Sequence, residues 1–197
     1  MKLFHNTVKM LIVLPFMFAL FLTGCTHMQP FTAPGVASIK TLVSGMDFAE
    51  TGFAVIGKIE DRRPAGTEMF IFSNWPNEWI YQSDAKAEQL LRGLIKEGLQ
   101  RRGITEVENP EGVLMVTAEI TDFSGDNAGV FYPGNCYFKI GSVITIKGPG
   151  VEKTLTVIGT GLNRIGRLSE ENLDLLMSKT YVDFLNNLDV ELHVAGF

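Results

Sequence analysis

Two cysteines and three histidines are all the thiol and imidazole groups in this 197-residue chain, and they leave little room for catalysis. A zinc centre draws on several Cys or His ligands at short spacing, yet the sequence has no His-x-x-x-His and no Cys-x-x-Cys. Gly-x-Ser-x-Gly is also missing. A couple between Cys136 and His193 is conceivable on paper, but no neighbouring motif supports it. Gly161-Leu162-Asn163-Arg164-Ile165-Gly166-Arg167 has the outline of a phosphate loop. It lacks the lysine and the following Ser/Thr that grip phosphates, so it reads as a strand turning into a helix. The expectation is a chain that is not an enzyme, with no metal and no cofactor.

Binding chemistry has better candidates. Asp61, Arg62 and Arg63 sit just before Pro64, where a turn could present guanidinium groups to a carboxylate or phosphate, since Arg forks pair with such groups bidentately. The plainer reading is a surface salt bridge that holds the turn. Two aromatic groups stand out as well. Phe70, Phe72, Trp75, Trp79 and Tyr81 fall in one stretch, and Phe131, Tyr132 and Tyr137 in another. Core is expected for Phe70 and Phe72. Trp75 lies in Asn74-Trp75-Pro76-Asn77, a turn composition, and with Phe131 and Tyr132 it is a candidate surface for a partner or ligand.

The N-terminus carries the strongest pattern. Lys2 and Lys9 are the only formally charged residues before Cys25, and Met10 to Leu22 is an unbroken apolar run. That length suits the h-region of a secretory signal and falls short of the ~20 residues a spanning helix needs. Leu22-Thr23-Gly24-Cys25 resembles the lipobox of bacterial lipoproteins. The resemblance implies cleavage after residue 24, diacylglycerol on the Cys25 thiol and a further acyl chain such as palmitate on its amino group. Two or more chains anchor stably where one does not. The alternative is a secreted protein with Cys25 in a disulfide. Thr26, rather than aspartate, follows the cysteine, which by resemblance implies the periplasmic face of the outer membrane rather than the inner membrane. If Cys25 carries lipid, Cys136 is either a buried thiol or part of an intermolecular disulfide.

Three regions follow: a signal at 1–24, the lipidated cysteine and a flexible tether at 25–35, and a single periplasmic domain at 36–197. Without Lys2 and Lys9, 15 basic residues face 22 acidic ones, a formal charge of −7. An acidic chain without a basic stripe is a poor partner for nucleic acid.

The domain reads as α+β. A short strand is expected at Ile39 to Val43 and a firmer one from Gly52 to about Glu60, stopped at Pro64. Met69 to Phe72 and Trp79 to Tyr81 flank the turn. Asp84 to Arg102 is predicted as a helix, with Ala87, Leu90, Leu91, Leu94, Ile95 and Leu99 on one stripe, Ser83 or Asp84 as cap, and Gly103 as stop. Long strands are predicted at Val113 to Phe123, Tyr137 to Lys147 and Lys153 to Asn163, the last two joined by a tight turn at Gly148-Pro149-Gly150. Gly159 and Gly161 suggest a bulge or the close approach of another backbone. Ser169 to about Val190 is the second helix. The expected architecture is an antiparallel sheet packed on one face by two amphipathic helices.

From Ala87 to Leu188 the chain resembles the YajG-type family of bacterial outer-membrane lipoproteins. Leu90-Leu91-Arg92, Leu99-Gln100-Arg101-Arg102-Gly103 and Val113-Leu114-Met115-Val116-Thr117-Ala118-Glu119-Ile120 carry the likeness, and Glu60-Asp61-Arg62-Arg63-Pro64 fits upstream. The resemblance implies a lipid-anchored, periplasm-facing protein whose partners are the membrane, through Cys25, and an envelope protein. It supplies no activity. A binding or scaffold role is expected, with an auxiliary subunit of an envelope transport or secretion complex as the alternative.

Overall fold

Alternation in one strand organises the whole core. Phe138, Ile140, Ile144 and Ile146 are buried on one face of β6 (Gly134–Gly148), as the period-2 pattern requires. A computed structural model of the protein describes residues 27–31, 52–64, 79–83, 86–109, 111–128, 134–165 and 169–197. The signal region, Cys25, Ile39 to Val43, Met69 to Phe72, Trp75, Phe131 and Tyr132 lie outside the described residues.

β6 pairs antiparallel on one side with β5 (Leu114–Ala128) and on the other with β7 (Val151–Ile165). The β6–β7 turn is Pro149-Gly150. Proline presets φ at the first corner, and Gly150 takes φ 77° at the second, the pair that a type II turn demands. The remaining strands of this five-stranded sheet are β2 (Gly52–Asp61) and the three-residue β4 (Ile104–Glu106), in the order β4-β2-β5-β6-β7. β2 runs parallel to both of its neighbours, so the sheet is mixed and not the antiparallel sheet expected from sequence. The physical reason is the helix α1 (Ala87–Gln100) lying between β2 and β4 in the chain. A helical crossover returns the chain to the same end of the sheet, which makes the next neighbour parallel.

Both helices cover one face. α1 buries Ala87, Leu90, Leu91, Leu94, Ile95 and Leu99, as its spacing predicts, and Gly103 closes it at φ 69°. Its N-cap is Lys86 with no side-chain cap bond, not Ser83 or Asp84, because Ser83 ends a strand, β3 (Trp79–Ser83). α2 (Glu170–Ala195) starts at Ser169, whose Oγ accepts from the Asn172 N–H. It runs past Val190 because Leu192 extends the buried stripe, and it stops at left-handed Gly196. No described helix is long and apolar enough to cross a membrane. The stretch expected as a tether contains β1 (His27–Phe31), which pairs in parallel with β3 as a separate two-stranded sheet.

The two helices touch where Gly98 leaves room for Leu188: a Cβ at 98 would stand 2.4 Å from Leu188 Cδ2. Tyr181 is fully buried in this core, and its hydroxyl has no hydrogen-bond partner among the described residues. Burial, and then the charge of Asp174, push the phenol far above its ordinary range. An unpaired buried hydroxyl costs about 1–3 kcal/mol. Tyr181→Phe should therefore raise stability by about 1 kcal/mol, read as a higher urea midpoint with an unchanged slope; a clear loss would reveal a partner for the hydroxyl.

Candidate functional site

The sequence-predicted Asp61-Arg62-Arg63 turn lies at the end of β2, and the three residues part company there. Arg63 turns inward. Its side chain is 5% exposed and forks onto Asp61, with Nε 2.8 Å from Oδ1 and Nη2 2.5 Å from Oδ2. Nη1 donates to the Phe123 carbonyl at 3.0 Å, and the guanidinium lies 5.7 Å from the Phe123 ring centroid, within cation–π range. Phe123 packs edge-on against Phe138 at 5.5 Å. The surface salt bridge expected at this turn is thus a part-buried clamp from the end of β2 onto β5. Hydrogen bonds from Arg63 hold the Asp61 carboxyl below its ordinary range. A guanidinium committed in this way has little left to offer a ligand.

Arg62 points outward and is 59% exposed. A register shift in β2 between Ile56 and Ile59 sets Glu60 directly beside Glu119 of β5, and like charges on adjacent strands repel. Arg62 Nη2 sits between the two, 3.1 Å from Glu60 and 3.0 Å from Glu119, and Lys58 adds a second ion pair to Glu60. Lys58 first, then Arg62, hold the Glu60 carboxyl below its ordinary range. These residues, with Thr117 and Thr145, line an open groove of about 300 Å³. Its four charges cancel, so it carries no net field for phosphate. Exposed pairs of this kind add little to stability.

Other residues guard the sheet edges, and sequence reasoning missed them. β4 covers β2 only at Gly52 to Ala54. Beyond that, Arg92 of α1 supplies the missing donors, its Nη2 bonding the Ile56 and Gly57 carbonyls at 2.9 and 2.8 Å. At the opposite edge, Asp183 of α2 accepts from the Thr160 N–H at 2.8 Å, and Asn187 donates to the Ile158 carbonyl at 2.7 Å. Covering an edge in this way blocks strand addition from another chain. Arg92 falls within the stretch that carries the family resemblance; its helical position gave no sign that it would reach a strand carbonyl.

Cys136 is a buried thiol on the inner face of β6, and His193 is exposed in the last turn of α2. Near the end of the β5–β6 hairpin that carries the candidate aromatic loop, Tyr137 is 38% exposed and stands beside Leu162, 62% exposed on β7.

No family model matches the chain, and no curated protein does. Solved structures do. A Xanthomonas campestris protein from a domain family of unknown function, DUF330, aligns with TM-score 0.52 at 7% identity, over 86% of this chain and 96% of that one. An uncharacterised protein aligns with TM-score 0.50 at 10% identity, over 83% and 99%. Rare lipoprotein B from Shewanella oneidensis aligns with TM-score 0.38 at 11% identity, over 70% and 95%. The first two share the mixed α+β fold with this chain; at such identity they say nothing about ligand or partner.

Proposed function

We propose that the chain is an envelope lipoprotein: a signal at 1–24 is removed, acyl chains on Cys25 hold it at the periplasmic face of the outer membrane, and the α+β domain acts as a non-enzymatic binding or scaffold unit. The observation that carries this reading is Leu22-Thr23-Gly24-Cys25 directly after a basic n-region and an apolar run of 13 residues. The YajG-type resemblance supports it. Thr26 after the cysteine favours the outer membrane over the inner. Tyr137 and Leu162, register partners on adjacent strands and both exposed, are a described apolar pair that a protein partner could cover. An auxiliary role in envelope transport would call for an apolar cleft between helices and sheet. Gly159 and Gly161 let α2 close on β7 along one part of that seam, which supports the scaffold reading. Cys25→Ser tests the proposal in cells: the protein should lose palmitate labelling and move from the membrane to the soluble fraction. Membrane association that survives the substitution would sink it.

A further inference from the structure

β1 begins two residues after Cys25, and its register sets His27 beside Trp79, Met28 beside Ile80 and Gln29 beside Tyr81. Among the described residues no third strand joins this pair, and an isolated two-stranded ribbon is marginal in water. A ribbon of this kind is stabilised by whatever covers it. Covalent geometry limits what that can be. Two residues of fully extended chain span at most about 7 Å, so whatever holds Cys25 also holds the start of the ribbon. The headgroup layer on one side of a bilayer is itself about 5–8 Å deep.

Resting on the lipoprotein reading, we infer that the β1–β3 ribbon is a membrane-contact element, seated in the interfacial layer of the bilayer that carries the Cys25 acyl chains. The occupant is set by chemistry as well as by reach. The ten residues of the two strands, His-Met-Gln-Pro-Phe and Trp-Ile-Tyr-Gln-Ser, include no formally charged side chain with His27 neutral. That suits zwitterionic headgroups and gives an acidic domain no charged residue at the contact to be repelled. Tryptophan and tyrosine are the residue types enriched at the water–bilayer boundary; Trp79 takes the register position nearest the anchored end, and Tyr81 lies two residues further on. Because both strands run the same way, the ribbon leaves the membrane at Phe31 and Ser83, and Ala87 opens α1 only four residues beyond Ser83. The domain is then held close to the surface through β3 instead of swinging on the whole of 26–51.

The chain has two tryptophans, so Trp75→Phe leaves Trp79 as the sole reporter. The mature acylated variant is placed in phosphatidylcholine vesicles containing lipid brominated either near the headgroup or at the chain end. Trp79 emission should shift to the blue and be quenched about twofold more by the shallow label than by the deep one, as an interfacial ring requires. Inserting about a dozen Gly/Ser residues between Thr26 and His27 adds ~19 Å of flexible reach and should remove most of that quenching. Unquenched Trp79 in protein whose mass shows acylated Cys25 overturns the membrane-contact inference alone, as does quenching that the insertion leaves unchanged. A mass showing unmodified Cys25, with protein that stays off the vesicles, overturns the lipoprotein reading and takes this inference with it.

Discussion

Gly159→Ala is expected to destabilise the protein by about 3 kcal/mol or more, at or beyond the upper end for overpacking a core. A Cβ built at 159 would stand 2.5 Å from Phe184 Cβ, 2.8 Å from its Cα and 2.8 Å from its N. None of these atoms can be moved by rotating a side chain. The whole of α2 would have to lift from β7, carrying Tyr181, Phe184, Leu185 and Leu188 out of the core they fill. It would also pull Asp183 and Asn187 away from the β7 edge, exposing a strand that can pair with another chain. Gly161→Ala meets Leu176 O at 2.6 Å and Thr180 Oγ1 at 2.3 Å; the hydroxyl can turn, but the carbonyl cannot. Against a total of roughly 5–15 kcal/mol for a domain, the double substitution should leave little folded protein. Urea unfolding followed by near-ultraviolet dichroism reads the loss. Gly52→Ala, with nothing within 4 Å of the added carbon, is the control and should be neutral or slightly stabilising. Equal stabilities for Gly52→Ala and Gly159→Ala would refute the close helix–strand approach.

The close approach is one feature that sequence did announce. Two glycines on the inward phase of a strand otherwise built from Leu155 and Val157 suggested a bulge or the approach of another backbone, and α2 is the backbone that comes near. The helix stripes and the three long strands were legible for the same reason: each is a local pattern repeated over ten or more residues; the Ser169 cap was legible from residue type beside such a stripe. β4 was not, because three residues cannot show a period. Without β4, nothing local separates a mixed sheet from an antiparallel one, since parallel pairing of β2 with β5 is a relation between segments more than fifty residues apart. The candidate site failed in a similar way. Arg62 and Arg63 are adjacent in sequence and chemically identical, but extended chain sends neighbours to opposite faces. Which Arg is buried depends on the register shift between Ile56 and Ile59 and on Phe123, sixty residues away. Trp75, Phe131 and Tyr132 lie outside the described residues.

That division between the two arginines predicts opposite outcomes for one substitution made twice. Arg62→Ala removes an exposed guanidinium from an ion network and should cost at most about 1 kcal/mol. Arg63→Ala should cost about 3 kcal/mol, the lower end for breaking a buried pair, because Asp61 keeps 15% of its side chain exposed while the Phe123 carbonyl loses its donor and the ring its cation. Arg63→Lys should recover little, since an ammonium offers neither the fork nor the flat face. Removing both partners should cost less than the sum of the single changes, the mark of residues that interact. Acid gives a second readout, and its sign follows from the Asp61 shift. The folded carboxyl titrates below its ordinary value of 3.8, so the clamp stabilises fully above that pH, and protonation withdraws the contribution as pH falls from about 3.8 through the folded value. Wild-type stability should therefore fall in this window more steeply than that of Arg63→Ala, in which Asp61 has lost the partner that depresses it. Urea midpoints measured from pH 6 to pH 3 test this; parallel curves for the two proteins would show that Arg63 does not hold the charge of Asp61 in the fold.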